Sequence, residues 1–420
     1  MADPSPRAAA EQRYAYRWLI LASSLTVLIT SFALRLAWGT SGAAVAADLH
    51  LSPAIMGTFV SAFFVGYAVA SFFGGFVVDW IGPKRAICLA LAPLGVFTAM
   101  FGLIQAPWHG LLLQLLIGMS AGTGYAGTAK LLSTWFIPRE RGRAFGILGV
   151  SSSAAVLLAN AIFPLVILHF TWRALYPLLG GVVALVLCLS LIVLRNGPPA
   201  ASREPAQTQP FLATARSLLK NRDFLLLSAS GLGGIWGTWG YSFWANPLMT
   251  KVFKTDPIAA GGVVAVFGLF GLCGKPLYGL FSDLLGGRRK TLIVACLSIF
   301  GLGLLVFSQL NDVAGFRLIA PVLGFGAFAY SPLLTAMTSE RMNPATLGAA
   351  AGISNAIIQV GAIIVPIVIG TVFEQTHSFQ YAVMAMAIGP FIGAACMACV
   401  SNERRVSASR DSAVASREAA

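Results

Sequence analysis

Two stretches decide the reading of this chain: Gly75-Phe-Val-Val-Asp79-Trp-Ile-Gly82-Pro-Lys84-Arg85 and Gly279-Leu-Phe-Ser-Asp283-Leu-Leu-Gly286-Gly-Arg288-Arg289-Lys290. Each runs glycine, three residues, aspartate, two residues, glycine, then a basic cluster, and each closes a long apolar run. They follow the second and the eighth apolar run, so they occupy equivalent places in two halves of the chain. One copy would signify little. Two copies in register mark an internal parallel repeat, the sequence signature of a pseudo-symmetric membrane protein.

The runs around these loops set the class. Of 420 residues, 57% are hydrophobic and 10% are charged, against roughly 25% charged in an ordinary soluble domain. Mean hydropathy is +0.80, so most of the length has no aqueous face to offer. A crossing helix needs about 20 apolar residues, and twelve segments from Trp18 to Val400 meet that test. The expected class is an all-α membrane protein, with twelve transmembrane helices in two pseudo-symmetric six-helix bundles. Residues 18–194 form the first bundle and 223–400 the second. Residues 1–17 are an N-terminal tail, 195–222 a Pro-, Ala- and Arg-rich linker expected to be extended, and 401–420 a polar tail.

The net charge of +13 would raise nucleic acid as a partner in a soluble protein. Here Lys and Arg fall mainly between apolar runs, which assigns them to membrane orientation and excludes nucleic acid. Arg7, Arg13, Arg17, Lys84, Arg85, Arg139, Arg141, Arg143, Arg288, Arg289, Lys290 and Arg341 share one side with the linker and tail. The other side holds Arg173, Lys251, Lys254 and Arg317. Both termini are therefore expected in the cytoplasm, with the chain in the inner cell membrane. The basic segment before Trp18 and the length of the first run do not fit a cleavable signal peptide. Cys88, Cys188, Cys273, Cys296, Cys396 and Cys399 lie in apolar runs without C-x-x-C or histidine pairing, so no metal site is expected.

The paired loops resemble the loop between helices two and three of the major facilitator superfamily and its repeat, and the resemblance spans nearly the whole chain. It extends to Trp135-Phe-Ile-Pro-Arg-Glu-Arg-Gly-Arg-Ala-Phe-Gly146 between the fourth and fifth runs. It implies a gating role for Asp79, Lys84, Arg85, Asp283, Arg288 and Arg289, with the two aspartates capping neighbouring helix ends in the closed gate.

The charges inside the runs have a single sign. Arg35, Lys130 and Lys275 are basic, whereas every Asp and Glu is read at or beyond a helix end. A cation inside a membrane is costly and usually faces a wet cavity with a partner. With no acid in the spans, the simplest partner is a substrate anion. The duller reading is snorkelling: Lys130 lies five residues from Trp135, and Lys275 eight residues from Asp283. Tyr67, Tyr125, Asn160, Trp239, Tyr241, Tyr330, Asn355 and Gln359 are further candidates to line the pathway, although such residues also serve as helix–helix contacts.

Cys273-Gly-Lys275-Pro-Leu-Tyr-Gly279 resembles the Arg-Pro stretch of helix eight in monocarboxylate transporters and oxalate/formate antiporters, where the basic residue holds a carboxylate. Lys130 and Arg35 are similar in place to basic residues of the anion:cation symporters. Leu34 stands where that group usually has Asp, and Asn355 and Gln359 stand where oxalate exchangers carry a second basic residue. Gln114 replaces the Arg of many proton-coupled relatives, and Ala159-Asn160-Ala-Ile-Phe-Pro164 lacks the signature of drug/proton antiporters.

The expectation is a secondary transporter of a small organic anion, a carboxylate, acting as a monomer by symport or exchange, with a proton or counter-substrate as coupling partner. No cofactor or enzyme activity is expected. The alternatives are an exporter of neutral or amphipathic compounds, in which the cations are structural, and a membrane-bound sensor.

Overall fold

The computed structural model describes residues 6–197, 211–284, 288–342 and 346–401. The described chain folds into helices α1 (Pro6–Asp48), α2 (Pro53–Ile81), α3 (Pro83–Phe101), α4 (Pro107–Gly122), α5 (Gly124–Trp135), α6 (Pro138–Gly149), α7 (Ser151–His169) and α8 (Trp172–Val193). After the linker come α9 (Phe211–Lys220), α10 (Arg222–Val252), α11 (Pro257–Leu284), α12 (Arg289–Gln309), α13 (Val313–Arg341), α14 (Leu347–Thr376) and α15 (Phe379–Ala398). A helix satisfies its own backbone, which is why it can stand in hydrocarbon.

Among the described residues, ten helices are long and apolar enough to cross a membrane. The other two crossings are α4–α5, interrupted at Thr123, and α10, whose 31 residues are rich in Gly, Ser, Thr, Trp and Tyr. An even number of crossings returns both ends of the chain to one face, here called the terminal face, with the far face opposite. Helix ends follow local chemistry. Proline opens α2, α3, α4 and α6, where its missing N–H costs nothing. Ser52, Thr171, Asn221, Asp312 and Ser378 cap α2, α8, α10, α13 and α15 through their side chains.

Two local expectations change. Helix α1 begins at Pro6, well before the apolar run at Trp18, because nothing in Arg7–Arg17 breaks a helix. The linker is not extended at its end: after Pro210 there is no further breaker, and α9 forms with Leu218 packed against Phe224, Met342 and Ala350. The linker at 198–210 and the tail at 402–420 lie outside the described residues.

The halves meet along three pairs of helices: α2 with α14, α7 with α11, and α1 with α10. The first seam is backbone against backbone. A Cβ on Gly57 would sit 2.3 Å from the Pro366 carbonyl oxygen, and one on Gly370 would sit 2.4 Å from that of Pro53. Small residues permit this approach where lipid supplies no hydrophobic drive between helices. Ser61 Oγ donates to the Ile363 carbonyl (2.5 Å), and the Ala54 N–H to Glu374 Oε2 (2.8 Å). These contacts all lie in the far half of α2 and α14.

Toward the terminal face, Gly75 on α2, Gly146 on the α6–α7 crossing and Gly352 on α14 have nothing within 4 Å of where a Cβ would stand. The tight contacts between the halves described above lie at the far face, and this open space at the terminal face fits a cleft that opens there.

Candidate functional site

At the closed end of the cleft Arg35 projects from α1, deep within its crossing and only 6% exposed. Its guanidinium carbon lies 4.9 Å from the centroid of Phe32, 5.0 Å from Phe63, 5.1 Å from Phe64, 4.5 Å from Tyr67 and 5.2 Å from Trp239. Spacing explains the convergence. Phe32 is one turn before Arg35, and Phe63, Phe64 and Tyr67 share adjoining faces of α2. Trp239 reaches in from α10, so both halves contribute. Phe243 backs this wall, 5.6 Å from Trp239 and 5.9 Å from Phe64. Rings present their negative faces to a cation and partly replace its hydration.

No described carboxylate pairs with Arg35. The Tyr67 hydroxyl is the polar group facing the guanidinium. Arg35 Nε and the Trp239 indole N–H are both buried without a hydrogen-bond partner. Two orphaned donors beside one uncompensated charge make an anion-seeking site.

Lys275 is placed differently. Its Nζ donates across the seam between halves to the Gly149 carbonyl (2.5 Å) and to Ser152 Oγ (2.7 Å), and lies 5.2 Å from the Phe328 ring centroid. The acceptors flank the break between α6 and α7 at Val150. The ammonium thus ties α11 to α7 where the two helices begin to part. Charged hydrogen bonds contribute about 1.5–3 kcal/mol each. Replacing Lys275 with Met is expected to shift the balance of conformations at least about tenfold away from the state with a sealed far face. A cysteine substituted for Ser61, enclosed in the α2–α14 seam, should then react faster with a thiol reagent added at the far face. An unchanged rate would show that the bond does not hold the seam.

Lys130 has an acid partner after all. Asp79 falls inside α2, which runs on to Ile81, and its Oδ1 accepts from Lys130 Nζ at 2.8 Å. The pair is exposed, at 48% and 66%, and such pairs contribute about 0–1 kcal/mol. Exchange of Asp79 for Asn should therefore leave thermal stability in detergent within about 1 kcal/mol of the parent protein. A larger loss would mean that the pair is shielded.

Asp79 does not cap α3 here, where Gly82 at φ 83° makes the turn without a side-chain bond. Lys84 donates from Nζ to the Leu191 carbonyl at the end of α8, and its backbone N–H donates to Asn196. Arg85 and Arg288 are exposed, and Arg289 pairs with Glu340. The Asp283 side chain lies outside the described residues.

Of the other candidates, Tyr125 stands beside Tyr67 and is half exposed. Asn355 is exposed and Gln359 buried on α14. Three are not brought to the cage. Asn160 turns back onto its own helix, donating to the Val156 carbonyl (3.0 Å). Tyr241 is fully buried against Phe267 and Phe307, and Tyr330 packs on Gly234 in the second half's core. Sequence reasoning passed over Phe32, Phe63 and Phe64, because phenylalanine in an apolar run carries no signal of its own. It also missed Ser152.

Comparisons with known proteins agree with this architecture. The family model for the Major Facilitator Superfamily matches residues 23–274 and 237–419. The chain is 24% identical, over 90% of its length and 93% of the relative's, to an Escherichia coli K12 protein named probable galactarate/D-glucarate transporter GarP. It is 26% identical, over 80% and 79%, to a probable L-galactonate transporter of the same organism. Among solved structures, a bacterial homolog of the human lysosomal transporter Spinster, in an inward-facing and occupied conformation, superposes with a TM-score of 0.76 at 13% identity. That match covers 92% of this chain and 97% of the other. With the family model matched over most of its length and ten described helices apolar enough to cross a membrane, the chain is a multi-pass membrane protein and belongs to the major facilitator superfamily.

Proposed function

We propose that this protein is a secondary transporter of a small organic carboxylate that exposes one central site alternately to the two faces of the inner membrane. Arg35 carries the reading: a buried guanidinium with no described carboxylate, beside an unpartnered indole N–H, at the junction of both halves. The names of the relatives, which concern acidic sugars, support a carboxylate from a separate direction.

The excess of Lys and Arg at the terminal face assigns that face to the cytoplasm. On this orientation the conformation described above is open to the cell interior. The loops at Asp79 and Asp283 stand at the ends of α2 and α11, where closure of the cleft would bring the halves together.

Purified protein in proteoliposomes should take up a carboxylate from a panel of mono- and dicarboxylates, and a neutral amide of the same shape should not compete. Equal competition by the amide would overturn the anion assignment.

A further inference from the structure

We infer that the carboxylate carried by this protein is a monoacid with a flat or apolar body, such as an aromatic carboxylate, and not a polyhydroxylated diacid. The inference rests on the anion reading above and narrows it. Three features of the closed end of the cleft point the same way.

The first is the count of available charge. Of the three cations within the spans, Arg35 has no described acid or main-chain carbonyl as partner, and its polar neighbour is the Tyr67 hydroxyl. Lys130 is held by Asp79, and Lys275 by Gly149 and Ser152. One carboxylate finds a cation waiting, whereas a second would have to break an existing bond.

The second is the sign of the unmet hydrogen bonds. Arg35 Nε and Trp239 Nε1 are both donors, and they suit carboxylate oxygens. A sugar acid also brings several hydroxyl protons that need acceptors. The five rings around the guanidinium offer one hydroxyl among them, that of Tyr67, so most of those protons would go unmatched in the cage. Burying unmatched hydroxyls is unfavourable, and a site discriminates steeply against groups it cannot pair.

The third is the wall. Phe32, Phe63, Phe64, Tyr67 and Trp239 surround the guanidinium with ring carbon and leave the Tyr67 hydroxyl as the polar group against it. A flat apolar body gains contact area against such a wall and loses no hydrogen bonds in entering it.

The test uses the full chain in detergent and in proteoliposomes, with benzoate, benzamide, glucarate and galactonate as probes. Benzoate should quench or shift the indole emission and inhibit its own labelled uptake at a concentration at least about tenfold below either sugar acid. The Arg35→Gln variant should lose this response, while Trp239→Phe should weaken benzoate by about threefold to tenfold and leave benzamide unaffected. If glucarate or galactonate binds and benzoate does not, the substrate-class inference falls and the anion reading stands. If benzamide binds as well as benzoate, the anion reading itself fails. Binding by none of the acids would overturn both.

Discussion

Replacing Arg35 with methionine should reduce carboxylate uptake at least about a hundredfold while keeping or raising the thermal stability of the protein. The two halves of that expectation have the same cause. A cation removed from water costs several kcal/mol that a resident acid normally offsets. Here no described acid does so, and rings recover about 0.5–2 kcal/mol per favourable contact, not additively around one charge. Methionine is flexible and apolar, and fills a ring-lined space without leaving an orphaned charge. Loss of the charged contact to a bound carboxylate removes roughly 3 kcal/mol or more, which is the hundredfold. Uptake in proteoliposomes and a melting curve in detergent read the two quantities separately. Were Arg35 a structural cation, as in an exporter of neutral compounds, the variant would melt earlier and transport would fall only in step with folded protein. Lysine at this position should recover part of the activity, since charge is kept and the planar fork is lost.

Substituting valine for Gly57 should cut transport by at least about twentyfold through a different route. The Cβ position lies 2.3 Å from the Pro366 carbonyl oxygen, 2.7 Å from its carbon and 2.9 Å from the Ile367 Cα. All three are backbone atoms on the other half, so no rotamer change relieves the clash. Each half can fold undisturbed, because the clash exists only where α2 meets α14. The seam must stay parted, and the equilibrium moves toward the state open at the far face. A cysteine at Ser61, whose side chain is buried in that seam, should then label readily from outside in the valine variant. Labelling at the parent rate would show that the two helices slide past the obstacle. Gly370→Val tests the reciprocal contact with Pro53 and should act in the same direction.

The class and repeat of this fold were legible because hydropathy and the doubled Gly-x-x-x-Asp loop are properties of contiguous residues. Arg35 was legible as well, since a lone cation in an apolar run is conspicuous. Its surroundings were not: Phe32 comes from the same helix, Phe63 and Phe64 from the next, and nothing in their spacing distinguishes a cage from a packed face. Trp239 and Tyr67 were picked out among the polar and aromatic candidates to line the pathway, with nothing to place them against Arg35. Lys130 was misjudged because Asp79 was counted as a loop residue, and the extra turn that carries α2 to Ile81 makes it a neighbour. The acceptors of Lys275 were invisible for a more general reason. One is a main-chain carbonyl, which every residue possesses, and only the break at Val150 and the approach of α11 single out Gly149.

The lone charge of the Arg35 cage also bears on how membrane voltage would act on the cycle. An empty site carries one fixed positive charge near the middle of the membrane, and a bound monoanion brings the cage to neutrality. A charge moved across the full field is worth about 2.3 kcal/mol per 100 mV. Voltage would therefore bear on the return of the empty carrier and leave the loaded step almost untouched. A dianion would leave the empty return as it is and make the loaded step voltage-dependent as well, since the loaded cage would carry one net negative charge, so the voltage dependence of uptake would report the valence of the substrate.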